Sequence, residues 1–263
     1  MADTQNSINP SKNDWNGAYV PKHTAKLIKA GIENGTAPFI PNNGQISASP
    51  IYNINTGYVL DANSLIPVIL TKAEKGYESN FVGTYGTVTK TNNSIKENEK
   101  GIFYNFVGKN DGEFHHSAYY FGEQMENPKH FAEIAAKVQL KTKQNLTKDT
   151  LKITSAEPVE YLGTYIAACK SGAKIEVAPE VAEQFKANIV AIADNELVRT
   201  NAEKNPDLPK VSDFLFDVEK KASEIVKNRE KELGIGQKKE QQQNRQPAKK
   251  HERKIEKEMS VSF

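Results

Sequence analysis

The 263-residue sequence predicts an α+β fold: a small antiparallel sheet with flanking helices, followed by a helical lobe and a disordered basic tail. Aromatic and β-branched runs with turn residues between them concentrate in 50–121, and helical patterns precede and follow that stretch. With 37% hydrophobic residues, the chain can bury a good core in one or two domains. The predicted division is a flexible N-terminus over 1–20, an α+β domain over 21–140, a helical lobe over 141–234 and the tail over 235–263.

Two helices are predicted beside the sheet. In 21–34, apolar residues recur at helical spacing, Pro21 suits the first turn, and Gly35 suits the left-handed conformation that ends a helix. In 64–75, the apolar residues are nearly continuous, which predicts a buried helix that ends at Gly76.

The sheet is predicted from strand-forming runs. The run 81–89 is rich in β-branched and aromatic residues and predicts one strand. The runs 101–107 and 114–121 are of the same type, and the turn cluster 108–112 between them predicts an antiparallel hairpin.

The second half of the chain reads as helical. Proline at a first turn or glycine after a last turn bounds apolar helical patterns at 128–137, at 158–170 and from 179 onward. A longer pattern at 212–233 places apolar residues on one face and stops at Gly234.

Charge is concentrated at the end of the chain. The formal net charge is +2, but Leu233 to Phe263 holds eight Lys/Arg and four Glu, so 8 − 4 = +4 falls on the tail and the rest is slightly acidic. The tail has almost no apolar residues, which predicts disorder when it is free and a nonspecific attraction to phosphates.

The sequence gives no sign of secretion or membrane insertion. One cysteine, Cys169, excludes an intrachain disulfide, the first residues lack a signal pattern, and no apolar run approaches the roughly 20 residues that span a bilayer. These features predict a cytoplasmic protein with no membrane partner.

Metal-dependent catalysis is disfavoured. His115 and His116 are adjacent on a predicted strand, where neighbouring side chains point to opposite faces and cannot readily ligate one ion. His251-Glu252 begins like a zinc-protease motif, but Ile255 stands where the second histidine is required. Cys169 lies in an apolar helix, and no phosphate-binding glycine loop is present. We therefore expect no enzyme activity and no cofactor.

Aromatic residues interleaved with lysines favour nucleic-acid binding. Single strands are bound by aromatic stacking on bases together with cations for the phosphates. The alternative is that these aromatics are core residues, since alternate positions of a strand usually face inward. The residues concerned are Tyr58, Tyr77, Phe81, Tyr85, Phe103, Tyr104, Phe106, Tyr119 and the lysines 72, 75, 90, 96 and 100.

A series of short motifs resembles the N-terminal domain of the ArdC antirestriction proteins over about Pro21 to Lys137. In order, they are Pro50-x-x-Asn53-x-x-Thr56-Gly57, Asn63 before an apolar helix, Lys75-Gly76-Tyr77, Thr84-Tyr85, and Ile95-x-x-x-Glu99-Lys100-Gly101-Ile102. The sequence departs from the family at Asp61-Ala62, where members usually have glycine, and it lacks the His-Glu-x-x-His zinc motif of their C-terminal metallopeptidase-like domain.

The resemblance implies a single-stranded DNA-binding module from a phage or plasmid. The implied binding residues are Asn53, Thr56, Tyr58, Lys75, Tyr77, Tyr85, Lys100 and Tyr104. Tyr85 and Tyr104 are expected to be half-exposed and to stack on bases, while Lys75 and Lys100 contact phosphates.

The leading hypothesis is a non-enzymatic protein that protects mobile-element DNA against host defence. The alternative is a protein-binding inhibitor that directly blocks a host defence nuclease.

Overall fold

The computed structural model describes residues 19–41, 46, 48–107, 114–141, 146–198 and 204–235. The described helices are α1 (Tyr19–Glu33), α2 (Ala62–Lys75), α3 (Tyr85–Lys90), α4 (Pro128–Lys137), α5 (Pro158–Ser171), α6 (Pro179–Leu197) and α7 (Val211–Glu232). The described strands are β1 (Tyr52–Asn53), β2 (Phe81–Thr84), β3 (Ile102–Val107), β4 (Phe114–Phe121), β5 (Thr150–Ile153) and β6 (Lys174–Val177). The predicted flexible segment 1–20 and the tail lie almost wholly outside the described residues.

The predicted helices are confirmed to within about two residues at their ends. Asp61 caps α2, because its side chain accepts a hydrogen bond of 3.0 Å from the Ser64 amide. Gly76 and Gly172 follow α2 and α5 with φ of 66° and 74°, the left-handed conformation that glycine adopts without strain.

The main sheet has four strands in the order β1-β2-β4-β3. The predicted hairpin of β3 and β4 is confirmed, with Ile102 opposite Tyr119 and Phe106 opposite His115. The α+β class is likewise confirmed, although the sheet is not wholly antiparallel because β1 pairs with β2 in parallel.

The predicted strand over 81–89 is wrong beyond Thr84. The chain turns there into the short helix α3, and the Thr84 hydroxyl accepts a hydrogen bond of 3.4 Å from the Thr87 amide. Threonine is a good strand former, but its hydroxyl also caps a helix, and this local bond competes with continuation of the strand.

The second half is not purely helical. β5 and β6 form a parallel two-stranded sheet, and α5 connects them. Only Leu151 and Ile153 of β5 are buried, a pattern too short to distinguish a strand in the sequence.

A single main core joins the two halves of the described chain. Ile28 of α1 and Leu65 of α2 belong to the same buried cluster as Tyr119 of the sheet, Tyr161 of α5 and Phe185 of α6. A smaller cluster under α4 contains Ile54, Val88, Met125, Phe131 and Ala135. The helices α6 and α7 of the second half therefore pack directly against α1 and α2.

No helix in the described ranges is long and apolar enough to cross a membrane.

Candidate nucleic-acid interface

The hairpin turns one of its faces into the core. Ile102, Tyr104 and Tyr119 are 3%, 8% and 6% exposed. The expectation of a half-exposed Tyr104 is therefore wrong. Its ring stacks on that of Tyr119 with centroids 4.3 Å apart, and the main core surrounds both rings. In this structure Tyr104 does not offer a free ring face to a ligand.

A hydrogen bond connects the two stacked tyrosines to Asn53, the last residue of β1. The Asn53 Nδ2 donates to the Tyr119 hydroxyl at 3.2 Å. Burial raises the pKa of Tyr119, and the adjacent Tyr104 raises it further. Both effects keep the Tyr119 phenol neutral, as a buried hydroxyl in a structural hydrogen bond requires.

The opposite face of the hairpin is only partly accessible. We call it the open hairpin face. It comprises Gly101 just before β3, Phe103 and Asn105 on β3, and His116, Ala118 and Tyr120 on β4. None of these six residues is buried, whereas Ile102, Tyr104 and Tyr119, which alternate with them along the strands, are buried. The period-two alternation of the strands thus separates a core face from a partly solvated one.

Small residues bring the Tyr120 ring close to the backbone. A Cβ atom at Gly101 would lie 2.6 Å from the Cβ of Ala118 and 2.8 Å from the Oη and Cζ of Tyr120. A side chain at position 101 would therefore displace the tyrosine ring. Glycine at this position lets the Tyr120 ring pack against the opposite strand.

Tyr85 extends the open hairpin face beyond β4. It is the first residue of α3 and is 63% exposed. Burial raises the pKa of Tyr120, and the proximity of Tyr85 contributes to the same shift. We call Tyr85 and Tyr120 the tyrosine pair.

Lys100 adjoins the open hairpin face in the chain. It is exposed and directly precedes Gly101, and its backbone carbonyl accepts a hydrogen bond of 2.9 Å from the Gln124 Nε2. This bond orders the backbone that carries the lysine. Tyr120 thus contacts Gly101, the residue after Lys100, and lies near the predicted residue Tyr85.

Aromatic rings also border the β3 side of the open hairpin face. Phe103 meets the edge of Tyr19 with centroids 5.8 Å apart, and Tyr19 stacks on His23 at 6.0 Å. Burial lowers the pKa of His23, and the charge of Lys26 lowers it further. His23 is therefore neutral at neutral pH, and the rings along this border are uncharged.

Three of the predicted residues shape or flank the turn after β1. The Asn53 Oδ1 accepts hydrogen bonds from the amides of Asn55 at 2.9 Å and Thr56 at 3.3 Å. Tyr58 is 56% exposed, and the Lys141 ammonium lies 5.1 Å from its ring centroid. Asn53 and Thr56 thus form hydrogen bonds that stabilise the turn, while the Tyr58 side chain is accessible to solvent.

Lys75 and Tyr77 lie at the end of α2. Lys75 is exposed, whereas Tyr77 is half-buried, with its ring centroid 5.2 Å from that of Phe121. Burial raises the pKa of Tyr77, and nearby carboxylates add to the shift. Tyr77 is therefore better placed to pack than to stack on a base.

Sequence reasoning missed Tyr120 and Gly101 as site residues. The alternation along 114–121 could have found Tyr120, because it shares a strand face with Ala118 and not with Tyr119. No comparable signal in the sequence pairs Gly101 with a ring on the other strand.

The described ranges hold no group of three or more His, Cys, Asp or Glu arranged to bind a metal ion. His115 stacks on Phe106 with centroids 5.5 Å apart, while the register places His116 opposite Asn105 on the other face. Cys169 is buried, and burial raises the pKa of its thiol to about 12. A thiol with this pKa is a poor nucleophile.

The sequence matches no protein-family model and no curated protein. Among solved structures, the chain is similar to the Mn(II)-bound antirestriction ArdC protein from the R388 plasmid, with 14% identity and a TM-score of 0.50. The metal-free structure of that protein gives 13% identity and a TM-score of 0.46. In both cases 77% of this chain and 95% of that chain are covered. The chain therefore has an ArdC-like fold, over more of its length than the half where the motifs occur.

Proposed function

We propose that this protein binds single-stranded DNA through the open hairpin face and protects mobile-element DNA from host defence in the cytoplasm, without catalysing a reaction. The observation that supports this most is the tyrosine pair, with Lys100 one residue before Gly101 in the chain. Tyr85 is 63% exposed, and Tyr120 packs against Gly101 at the edge of a partly solvated sheet face.

The chemistry of this surface suits unpaired bases. An exposed phenol ring offers a flat apolar surface on which a base of any sequence can stack, and a lysine nearby can neutralise a phosphate. In duplex DNA the bases are already stacked on one another and their flat faces are not available. This surface should therefore prefer single strands to duplexes.

The antirestriction role is supported by the fold alone. The chain resembles in fold a protein described as the antirestriction ArdC protein from the R388 plasmid. A DNA-coating protein would hinder a host nuclease by occupying its substrate. A direct inhibitor of that nuclease is the competing proposal, and stoichiometric binding to the purified nuclease without DNA would favour it.

The role of Tyr85 can be tested with a matched control. Phe216 on α7 is exposed to a similar degree, 54% against 63% for Tyr85, but lies on a different element. We expect Tyr85→Ala to weaken binding of a labelled single-stranded oligonucleotide by about 1 to 3 kcal/mol. Phe216→Ala should leave the affinity unchanged. Equal effects of the two substitutions, or none from Tyr85→Ala, would contradict this site.

Lys100 should contribute through charge. Lys100→Ala should weaken binding less than Tyr85→Ala and lower the slope of log affinity against log salt by about one unit. Lys227, an exposed lysine of α7, provides the control, since Lys227→Ala removes the same charge elsewhere. An identical slope change in both variants would mean that only net charge matters.

A further inference from the structure

The two-stranded sheet of β5 and β6 has a free edge at β6. β6 pairs with β5, and no other strand of the described chain pairs with it. Its main contacts in the described residues are with β5 and α5. An unpaired edge presents backbone amides and carbonyls that can pair with another strand.

The hydrogen bonds to β5 determine which backbone groups of β6 face outward. The Lys174 amide donates to the Asp149 carbonyl at 3.0 Å, and Lys174 is in register with Thr150. In a parallel ladder, every second residue of a strand bonds to the same neighbour. Lys174 and Glu176 therefore direct their backbone groups to β5, and Ile175 and Val177 direct theirs to the free edge.

The side chains of β6 alternate in a self-complementary way. Lys174 and Glu176 are exposed, while Ile175 and Val177 are only partly buried although they pack against the main core. In an antiparallel pair of two β6 strands related by a two-fold axis at Ile175, Lys174 of each copy lies opposite Glu176 of the other. Each isoleucine then lies beside its own equivalent on the core side.

We infer that β6 is a homodimer interface, formed by antiparallel pairing of two copies about Ile175. The outward amide and carbonyl of Ile175 exchange two hydrogen bonds with their equivalents. Lys174 and Glu176 fall in the positions without hydrogen bonds, where facing side chains come closest. The two small sheets merge into one sheet of four strands, and the partly exposed Ile175 and Val177 become more buried.

The existing ion pair on this sheet is compatible with the dimer. The Lys152 Nζ lies 3.8 Å from the Glu176 Oε2, and both side chains are mostly exposed, at 72% and 64%. Glu176 can therefore lie between Lys152 of its own copy and Lys174 of the second. Strands of this length bury a small area, so we expect a dimer with a dissociation constant in the micromolar range or weaker.

A charge exchange tests the pairing directly. Sedimentation velocity of the full chain, over a range that reaches several hundred micromolar, should show a reversible monomer–dimer equilibrium. The dimer contains two equivalent pairs of residues 174 and 176. Lys174→Glu alone, or Glu176→Lys alone, gives both pairs like charges, and either substitution should weaken the dimer about two- to thirty-fold. A mixture of these two variants should form a heterodimer at least as tight as the original dimer, because the charges are complementary again. A monomer at all concentrations, or charge variants that leave the dimer unchanged, would overturn the inference.

A backbone variant provides the second test. Ile175→Pro removes the amide at the centre of the free edge, and the ladder with β5 does not use that amide. We expect it to weaken the dimer at least about ten-fold while the circular dichroism spectrum of the monomer is retained. A dimer unaffected by Ile175→Pro would place the interface elsewhere. If this variant does not fold, the charge-exchange experiment still tests whether β6 forms the dimer interface.

Discussion

At the scale of single residues, the two tyrosines named as stacking candidates have opposite environments. Tyr85 starts a short helix and is 63% exposed, while Tyr104 is 8% exposed and stacked on Tyr119. Both are aromatic residues near a lysine in the sequence, so residue type alone did not separate them. The difference comes from the alternation of side chains along a strand, because Tyr104 lies on the same face as the buried Ile102.

Truncation of the Tyr104 side chain should therefore lower the stability of the fold, and any loss of DNA binding should follow from that. Tyr104→Ala removes a buried ring from the main core, and we expect a loss of about 3 to 5 kcal/mol in the free energy of unfolding, measured by urea denaturation. Tyr104→Phe retains the ring and should lose far less, because only the hydroxyl is removed. A Tyr104→Ala protein of unchanged stability but reduced DNA affinity would show that this ring is a binding residue after all.

At the scale of elements, helix ends were more predictable than strands. Proline, glycine and capping side chains act within a few residues of the position they determine, so Asn127 before α4 and Gly172 after α5 are visible in the sequence. β1 and β6 are two and four residues long, and their pairing partners are distant in the chain. The energy of such short strands comes from tertiary contacts, which local patterns do not report.

Glu219 of α7 links three helices. Its Oε2 accepts a hydrogen bond of 2.9 Å from the Ala62 amide at the start of α2, and its Oε1 accepts one from the Lys170 ammonium of α5. A carboxylate at this place also interacts favourably with the positive end of the α2 dipole. These contacts connect α7 to the start of α2 and to α5.

Removal of this carboxylate should loosen the contact between the helices. We expect Glu219→Ala to lower the free energy of unfolding by about 1 to 3 kcal/mol, because it leaves a helix-end amide and a partly buried ammonium without their acceptor. Glu224→Ala, at an exposed position of the same helix, removes the same charge and should change stability by less than about 0.5 kcal/mol. Chemical denaturation of the two variants side by side measures the difference. Similar losses from both would mean that Glu219 is not a structural link.

At the scale of the whole molecule, the order of elements was predictable and their assembly was not. The α+β class, the hairpin and the amphipathic helices follow from local patterns. The packing of α1 against α6 and of α2 against α7 joins distant parts of the chain, and in the sequence each helix shows only an apolar face without its partner. For the same reason the sequence indicated aromatic residues for stacking but not the open hairpin face, where Tyr120 approaches Gly101 closely.

The charge distribution bears on the same function. The tail carries an excess of +4, counted as 8 − 4 from Leu233 onward, while the whole chain carries +2, so the remainder is at 2 − 4 = −2. Affinity for DNA should then come from a local arrangement of rings and lysines together with the tail, and not from a uniformly basic body.

Single-stranded DNA binding can be measured directly by an equilibrium titration of the purified full chain with single- and double-stranded oligonucleotides of one sequence at two salt concentrations. We predict tighter binding of the single strand at both concentrations, with an affinity that falls as salt rises because phosphate contacts release counterions. The preference for the single strand should persist at the higher salt, since base stacking is less sensitive to ionic strength than phosphate contacts are. Equal affinity for the two forms, or no binding at the lower salt, would contradict the proposal that this protein binds single-stranded DNA.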